Sequence, residues 1–290
     1  MQGNSEVGSR TKAVSGLYLR RWKQQRKLSV PVGEVGLTEA GVCTSKGYNT
    51  EEERYGAVDR RTLKRPGRGA QYGSGAVYLT FDDGPDPVWT PQVLDALDAG
   101  GARATFFVIT PLAGRYPHLV ERMISGGHAV ALHCVRHIRH TALDAAEILA
   151  DAEKGLGDLA ALGVKTRNWR PPWGVVTEGT REAARTLGLE LRLWSEDTHD
   201  WRGDPAAGML ESIAPGLAGG SVVLMHDGLG PGATRRGCPE TLALIPALLE
   251  SIRERRLSPA AMGAAVGAQV GAQVGPHRET RREGAGLSPA

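Results

Sequence analysis

Ala76-Val77-Tyr78-Leu79-Thr80-Phe81-Asp82-Asp83-Gly84-Pro85 runs from an apolar stretch straight into two carboxylates and a turn. Its β-branched and aromatic residues favour a buried strand. Asp-Gly-Pro ends that strand sharply, because Gly permits positive φ and Pro has no amide hydrogen for a ladder. Asp82 and Asp83 therefore belong on a loop at the strand's carboxyl end. Two ionised carboxylates side by side repel, which is costly unless a cation neutralises one or a proton is shared. Taken alone, the segment also fits a solvated Asp-Gly turn.

Working outward, Gly127-His128-Ala129-Val130-Ala131-Leu132-His133 is a second short apolar strand that delivers His133 at its carboxyl end, and His137 follows four residues later. If that segment is helical, the two imidazoles share a face. Imidazole nitrogen is a good ligand for zinc and its first-row neighbours, and two His with one carboxylate leave room for water. Singly, each His fits a surface or core position; their shared placement with Asp82 and Asp83 at strand ends is the stronger sign. A spare Asp beside such a set can act as a base, which is the layout of a metal-dependent hydrolase. Non-haem iron oxygenases use a similar triad, but they need no adjacent base and no distant His acid.

Three more segments repeat the pattern of strand followed by polar cluster. Arg170-Pro171-Pro172-Trp173-Gly174 follows Trp169, Asp197-Thr198-His199-Asp200-Trp201 follows Leu191 to Trp194, and His226-Asp227-Gly228 follows Val222 to Met225. With these in order after TFDDGP and the His-x-x-x-His pair, the chain resembles the polysaccharide deacetylases of carbohydrate esterase family 4, the group with the NodB homology domain. The resemblance runs from about Gly75 to Arg256 and is closest in style to chitooligosaccharide deacetylases. It implies that Asp83, His133 and His137 hold one divalent metal ion, zinc first, with Co2+ or Ni2+ as substitutes. It also implies Asp82 as general base, Arg170 orienting it, and His226 as general acid. Leu224 would line the pocket for the acetyl methyl group, the Trp173 backbone N–H would help hold the oxyanion, and Asp200 with Trp201 would buttress the opposite wall. Three departures stand out: Cys134 where the family has Ser or Thr, Leu132 where Asn is common, and Trp173 where Tyr is usual.

Elementary chemistry asks for the same parts. An amide carbonyl is a poor electrophile and needs Lewis-acid polarisation. The tetrahedral oxyanion needs a fixed donor, a contact worth roughly 3 kcal/mol. Amines leave badly unless protonated, and a His near neutral pKa suits that task better than a carboxylate. Each partner also has a plainer account: Arg170 as a surface residue, His226 as a strand cap, His128 as structural, His140 and His199 as loop residues that contact substrate or solvent.

Helical signals alternate with the strands. Thr90-Pro91 marks an N-cap before Val93, Leu94 and Leu97; Ala104 to Ile109 is a strand; Pro117 to Ser125 is a helix closed by Gly126-Gly127. Thr141 and Asp144 open a longer helix to Gly163, and further helices are expected near Arg181–Leu187, Ala206–Leu217 and Thr241–Arg256. Such βαβα alternation predicts an α/β fold with a parallel sheet and outer helices, and by resemblance a distorted, incomplete (β/α) barrel of the NodB homology type. The last strand is poorly marked in Leu257-Ser258-Pro259-Ala260, so the barrel is expected to be open at that seam.

Composition assigns the rest. The chain has 290 residues, 41% of them hydrophobic, and no apolar run of the roughly 20 residues a membrane span requires. Residues 1–73 carry 14 Lys and Arg against 7 Asp and Glu, whereas 74–258 carry 18 against 23. The basic character lies outside the catalytic region, which argues against a nucleic-acid partner. Residues 1–73 read as a basic, disordered extension without a secretory signal, 74–258 as the catalytic domain, and 259–290 as a low-complexity, disordered tail. Cys43, Cys134 and Cys238 are too few for a disulfide framework, so a cytoplasmic location is expected. The expected partner is an N-acetylated sugar, a chitooligosaccharide or related glycan. A small N-acylated metabolite, a cyclic amide and a non-catalytic carbohydrate-binding role remain open, as does the oligomeric state. Arg235 and Arg236, in the long loop after His226, are either anion-recognising or solvated.

Overall fold

The computed structural model describes residues 75–263. The expected N-terminal extension, its lack of a secretory signal, Cys43 and most of the low-complexity tail lie outside the described residues. Among those residues the strands are β1 (Ala76–Asp82), β2 (Thr105–Ile109), β3 (Ala129–Cys134), β4 (Asn168–Trp169), β5 (Glu190–Leu191), β6 (Glu196–Asp197), β7 (Val222–His226) and β8 (Ser258–Ala260). They alternate with α1 (Trp89–Ala99), α2 (Thr110–Arg115), α3 (Pro117–Ser125), α4 (Ala145–Ala161), α5 (Glu178–Leu187), α6 (Ala206–Ile213) and α7 (Pro239–Glu254).

Every strand pairing is parallel, in the order β5-β4-β3-β2-β1-β7-β6, with β8 beside the first half of β1. The order ends on two-residue strands, β5 and β6, so the sheet curls without closing into a ring. This is the distorted, incomplete (β/α) barrel that the resemblance implies. Strand alternation sorts the side chains. Val77, Leu79 and Phe81 of β1 pack with Phe106, Leu132, Val223 and Met225 against the helices, while Tyr78, Phe107, Ala131 and Val222 cluster on the other face, inside the curl. Fully burying each of these larger side chains stabilises the fold by about 1.5–3 kcal/mol. The inner face continues upward as Thr80 and Asp82 of β1, which stand in register beside Leu224 and His226 of β7.

Several boundaries differ from expectation, each for a local reason. Ser258–Ala260 does form a strand, and the described fold passes the boundary expected at 258. Met262 beyond it is buried among Tyr78 and Phe107, and its N–H donates to Thr105 Oγ1 at 2.8 Å. The seam expected there is therefore paired, and the opening lies between β5 and β6. Thr90 is not an N-cap: Asp86 Oδ1 accepts from Val88 and Trp89 N–H at 2.7 and 2.9 Å, and the Thr90 hydroxyl donates to Asp227 Oδ2 at 2.5 Å. Asp144 does cap α4, in a capping box with Glu147, whereas Thr141 belongs to a preceding 3₁₀ turn. α6 stops at Ile213 before a 3₁₀ turn containing Pro215, which has no amide hydrogen to extend the ladder. Only Leu191 of the expected strand Leu191–Trp194 pairs, because the carbonyls of Arg192 and Leu193 accept from Arg170 instead.

Candidate active site and metal centre

Asp83, His133 and His137 come together at the carboxyl end of the barrel, with one ligand atom from each lying within 4.8 Å of the others. His133 is on β3 and His137 in the loop after it, so they do not share a helical face. Asp83 has φ 72. That left-handed turn, tolerated by Asp better than by most residues, breaks strand alternation directly after Asp82 and lets both carboxylates serve one mouth. His133 Nε2 and His137 Nε2 stand 3.4 and 3.2 Å from Asp83 Oδ1. Two donors each about 2.0–2.2 Å from a tetrahedral ion stand about 3.3 Å apart, so the set fits a divalent cation. Asp83 Oδ1 is buried without a hydrogen bond, as expected of an atom aligned for an ion. His133 Nδ1 lies 2.7 Å from the Arg170 carbonyl, which fixes the proton there and leaves Nε2 its lone pair. Burial alone would raise the Asp83 carboxyl; protonated imidazoles facing it would hold it well below the usual range, a positive charge that a bound cation would supply in their place.

Asp82 faces a different partner. Arg170 is fully buried and donates from Nη1 to Asp82 Oδ1 at 2.7 Å and to Thr80 Oγ1 at 2.8 Å. Its Nε and Nη2 donate to the carbonyls of Arg192 and Leu193 at 2.8 and 3.3 Å, and its guanidinium lies 4.1 Å above the Phe107 ring. A charge this deep is tolerated only with its counter-ion and several acceptors in place. Arg170 is thus no surface residue: it ties the chain after β5 to β1 and presents Asp82 with Oδ2 left for other work.

On the opposite flank, Asp200 takes His226. Asp200 Oδ1 lies 2.7 Å from His226 Nδ1, and Oδ2 accepts from the His226 backbone N–H at 2.9 Å. Burial would lower the His226 pKa, but the Asp200 carboxylate outweighs it, and the pKa is pushed up to about 9. Asp200 itself drops to about 2: burial would raise it, and His226, Arg235 and Thr241 more than reverse that. The resemblance implies that Asp200 buttresses the opposite wall; in the structure its carboxylate bonds the His226 imidazole. Trp201 does stand in the same 3₁₀ turn, half-buried, with the Arg202 guanidinium 4.8 Å from its ring.

Leu224 is buried on the inner face beside Thr80, two positions below His226. Trp173 has φ 55 and sets its ring edge-on to His137 at 4.2 Å, with the Arg139 guanidinium 4.4 Å above it. The loop from Gly228 to Cys238 crosses the mouth. A Cβ on Gly230 would fall inside the Asp83 carboxylate, and one on Gly232 would stand 3.8 Å from Trp173 Nε1.

Burial decides the remaining residues, against expectation for His140 and Arg235 and in line with it for His128 and Cys134. His140 is buried, bonded to Thr180 Oγ1 at 2.8 Å, and is neither an exposed loop residue nor a substrate contact. His128 is buried as a structural residue, accepting from Ala104 N–H at 3.2 Å. Cys134 is a buried free thiol whose pKa burial pushes well up, which makes it a filler. Arg235 is neither solvated nor available to an anion, as its side chain is 4% exposed and faces Asp200. Asp151 escapes sequence reading altogether. It sits on α4, seventeen residues beyond Cys134, and its two oxygens accept the N–H groups of Val135 and Arg136 at 2.9 and 3.0 Å, pinning the loop that carries His137. Its only sequence signal is a charge on the buried stripe of α4 with Ile148 and Ala152.

Residues 69–191 match the family model described as polysaccharide deacetylase. The chain is 35% identical to a chitooligosaccharide deacetylase of Sinorhizobium fredii, over 59% of this chain and 79% of that one. It is 32% identical to a peptidoglycan-N-acetylglucosamine deacetylase of Bacillus cereus, over 52% and 72%. Among solved structures, a family 4 carbohydrate esterase from Streptomyces lividans in complex with acetate superposes with a TM-score of 0.59 at 30% identity, covering 64% of this chain and 92% of that one. The chain belongs to the polysaccharide deacetylase family, carbohydrate esterase family 4. It is accordingly a hydrolase of carbon–nitrogen bonds other than peptide bonds.

Proposed function

We propose that the protein removes N-acetyl groups from N-acetylated amino sugars, a chitooligosaccharide or related glycan, with one divalent cation held by Asp83, His133 and His137. Zinc is the first assignment and Co2+ or Ni2+ its substitutes. The observation that carries this is the buried Asp83–His133–His137 cluster with Asp82, fixed by Arg170, directly beside it. A bound divalent cation supplies Lewis acidity for a carbonyl oxygen and for water. Asp82 Oδ2 takes the proton of the attacking water, while Arg170 holds the other oxygen still. The Trp173 N–H adds a donor toward the developing oxyanion. Asp200 occupies His226 Nδ1, so Nε2 carries the proton for the leaving nitrogen, without which an amine departs too slowly. Leu224 receives the acetyl methyl group, and the indoles of Trp173 and Trp201 offer faces for a pyranose ring.

The full set of ligands, base and acid argues against a role in sugar binding alone. Two buried free thiols, Cys134 and Cys238, agree with a cytoplasmic location; subcellular fractionation tests that part. For the activity, acetate release from N-acetylated chitooligosaccharides of increasing length is measured before and after chelation. Release that stops with chelator and returns with Zn2+ is expected. Undiminished release in chelator would remove the cation from the scheme, and release only from a monomeric N-acyl compound would replace the glycan by a small metabolite.

A further inference from the structure

Arg235 lies in the loop between β7 and α7, and no part of the chemistry above uses it. Its side chain is 4% exposed. Nη1 donates to Asp200 Oδ2 at 2.9 Å, to the Asp200 carbonyl at 3.2 Å and to Thr241 Oγ1 at 2.5 Å. Nη2 donates to the His226 carbonyl at 3.0 Å and the Gly228 carbonyl at 3.2 Å. Thr241 Oγ1 in turn donates to Asp200 Oδ2 at 2.7 Å. The loop backbone is fastened at the same place, with the N–H groups of Thr234 and Arg235 donating to the Trp201 carbonyl at 3.0 and 3.3 Å. Both ends of the Asp200–His226 pair, the turn that carries one and the strand that carries the other, are therefore held by a single guanidinium.

We infer that Arg235 is the positioning residue of the general acid: it holds Asp200 and the His226 backbone in one frame, so that the imidazole proton points at the leaving nitrogen. The inference rests on the proposed function for its substrate, though not for its geometry. A planar fork is needed, because five acceptors on three segments surround the group; a Lys ammonium is a point donor and reaches fewer of them. The charge sequence is guanidinium, carboxylate, imidazolium, with the charges of Asp82, at the end of β1, and Asp83, just after it, also acting on the ring and Asp227 next to it in the chain. Arg235 offsets part of the negative charge gathered there.

Leaving-group chemistry separates this role from a general structural one. Departure of an amine needs the proton from His226, whereas a nitrophenolate leaves without it. Arg235→Met is expected to lower kcat for N-acetyl glycan by about 10- to 100-fold, with KM changed less than about twofold and 4-nitrophenyl acetate cleavage lowered less than about threefold. Arg235→Lys is expected to fall between. The His226 Nδ1–H resonance, protected from exchange by Asp200, gives a readout that needs no turnover, and it is expected to broaden in Arg235→Met. If that variant does not fold, Thr241→Val removes one bond to the same carboxylate oxygen with Arg235 in place, and the same split is expected on a smaller scale. Equal losses on amide and ester, or an unaltered resonance with unaltered kcat, would overturn the inference. Wild-type protein inert on every glycan would count against the function alone, since the resonance still decides the role of Arg235.

Discussion

On the β4 flank of the site Arg170 bonds directly to Asp82, whereas on the β7 flank Arg235 reaches the His226 imidazole through Asp200. Both guanidiniums are buried, and both stitch a loop to a strand. The difference is the sign of the group presented to the cleft. A guanidinium can bond a carboxylate directly and fix its orientation, as Arg170 does for Asp82. The same charge touching an imidazole would expel its proton, so a carboxylate stands between and reverses the effect. In the proposed mechanism, two similar cations thus support opposite proton-transfer roles within one short barrel mouth.

The base flank breaks most sharply. Asp82→Asn keeps the shape and can turn its amide oxygen to Arg170, but it cannot accept a proton at neutral pH. Acetate release is expected to fall by about 10³-fold with the cation still bound. Steady-state assays with isothermal titration of Zn2+ check both halves; release near the wild-type rate would refute the assignment of the base.

The acid flank is read through pH. As the proposed acid His226 must be protonated, so kcat is expected to fall as pH rises through its pKa, at about 9 or below. The limb moves below 9 when a cation on Asp83 cancels that residue's share of the raise. Asp200→Asn removes the charge that raises the imidazole and leaves burial to lower it. The alkaline limb is then expected to shift down by about two units, with a loss of roughly 10- to 100-fold at pH 8. A profile of kcat against pH that keeps its limb in the variant would separate Asp200 from the acid.

Between the flanks, Gly230 abuts the Asp83 carboxylate so closely that any side chain must displace it. Gly230→Ala is expected to weaken Zn2+ binding by about 10- to 100-fold, measured by competition with a chromophoric chelator. A variant with wild-type affinity would mean that the loop yields more easily than its bonds to Trp201 suggest.

What was legible in the sequence divides along the same line. Strand-end clusters announce themselves, because an apolar run that stops at Asp82-Asp83 or at His226 leaves polar groups with nowhere to go but the mouth of a barrel. The alternation of β1 likewise follows from period two. The supports are illegible for a different reason: Arg235 and Asp151 look like ordinary loop and helix charges, and only the tertiary fold brings them to Asp200 and to the loop after β3. β8 is similarly quiet, since Ser258-Pro259-Ala260 has weak strand propensity and is held by pairing with β1 and by Met262 packing inside the barrel.

The smallest effect concerns the loop between the two imidazoles. Cys134 replaces the hydroxyl expected by resemblance, which would leave the loop slack if that side chain were its brace. The brace is instead Asp151, whose oxygens take the N–H groups of Val135 and Arg136. Cys134→Ser is therefore expected to change Zn2+ affinity by less than about twofold, while Asp151→Ala, which strands two backbone donors, lowers it by about tenfold. His137 alone among the three proposed ligands depends on this loop, since His133 is fixed within β3 and by the Arg170 carbonyl. Asp151→Ala should consequently act like a weakened version of His137→Ala, with the His133 side of the centre intact. NMR of the two imidazoles on Zn2+ titration tests this directly: equal perturbation of both rings would show that Asp151 supports the whole centre and not one side of it.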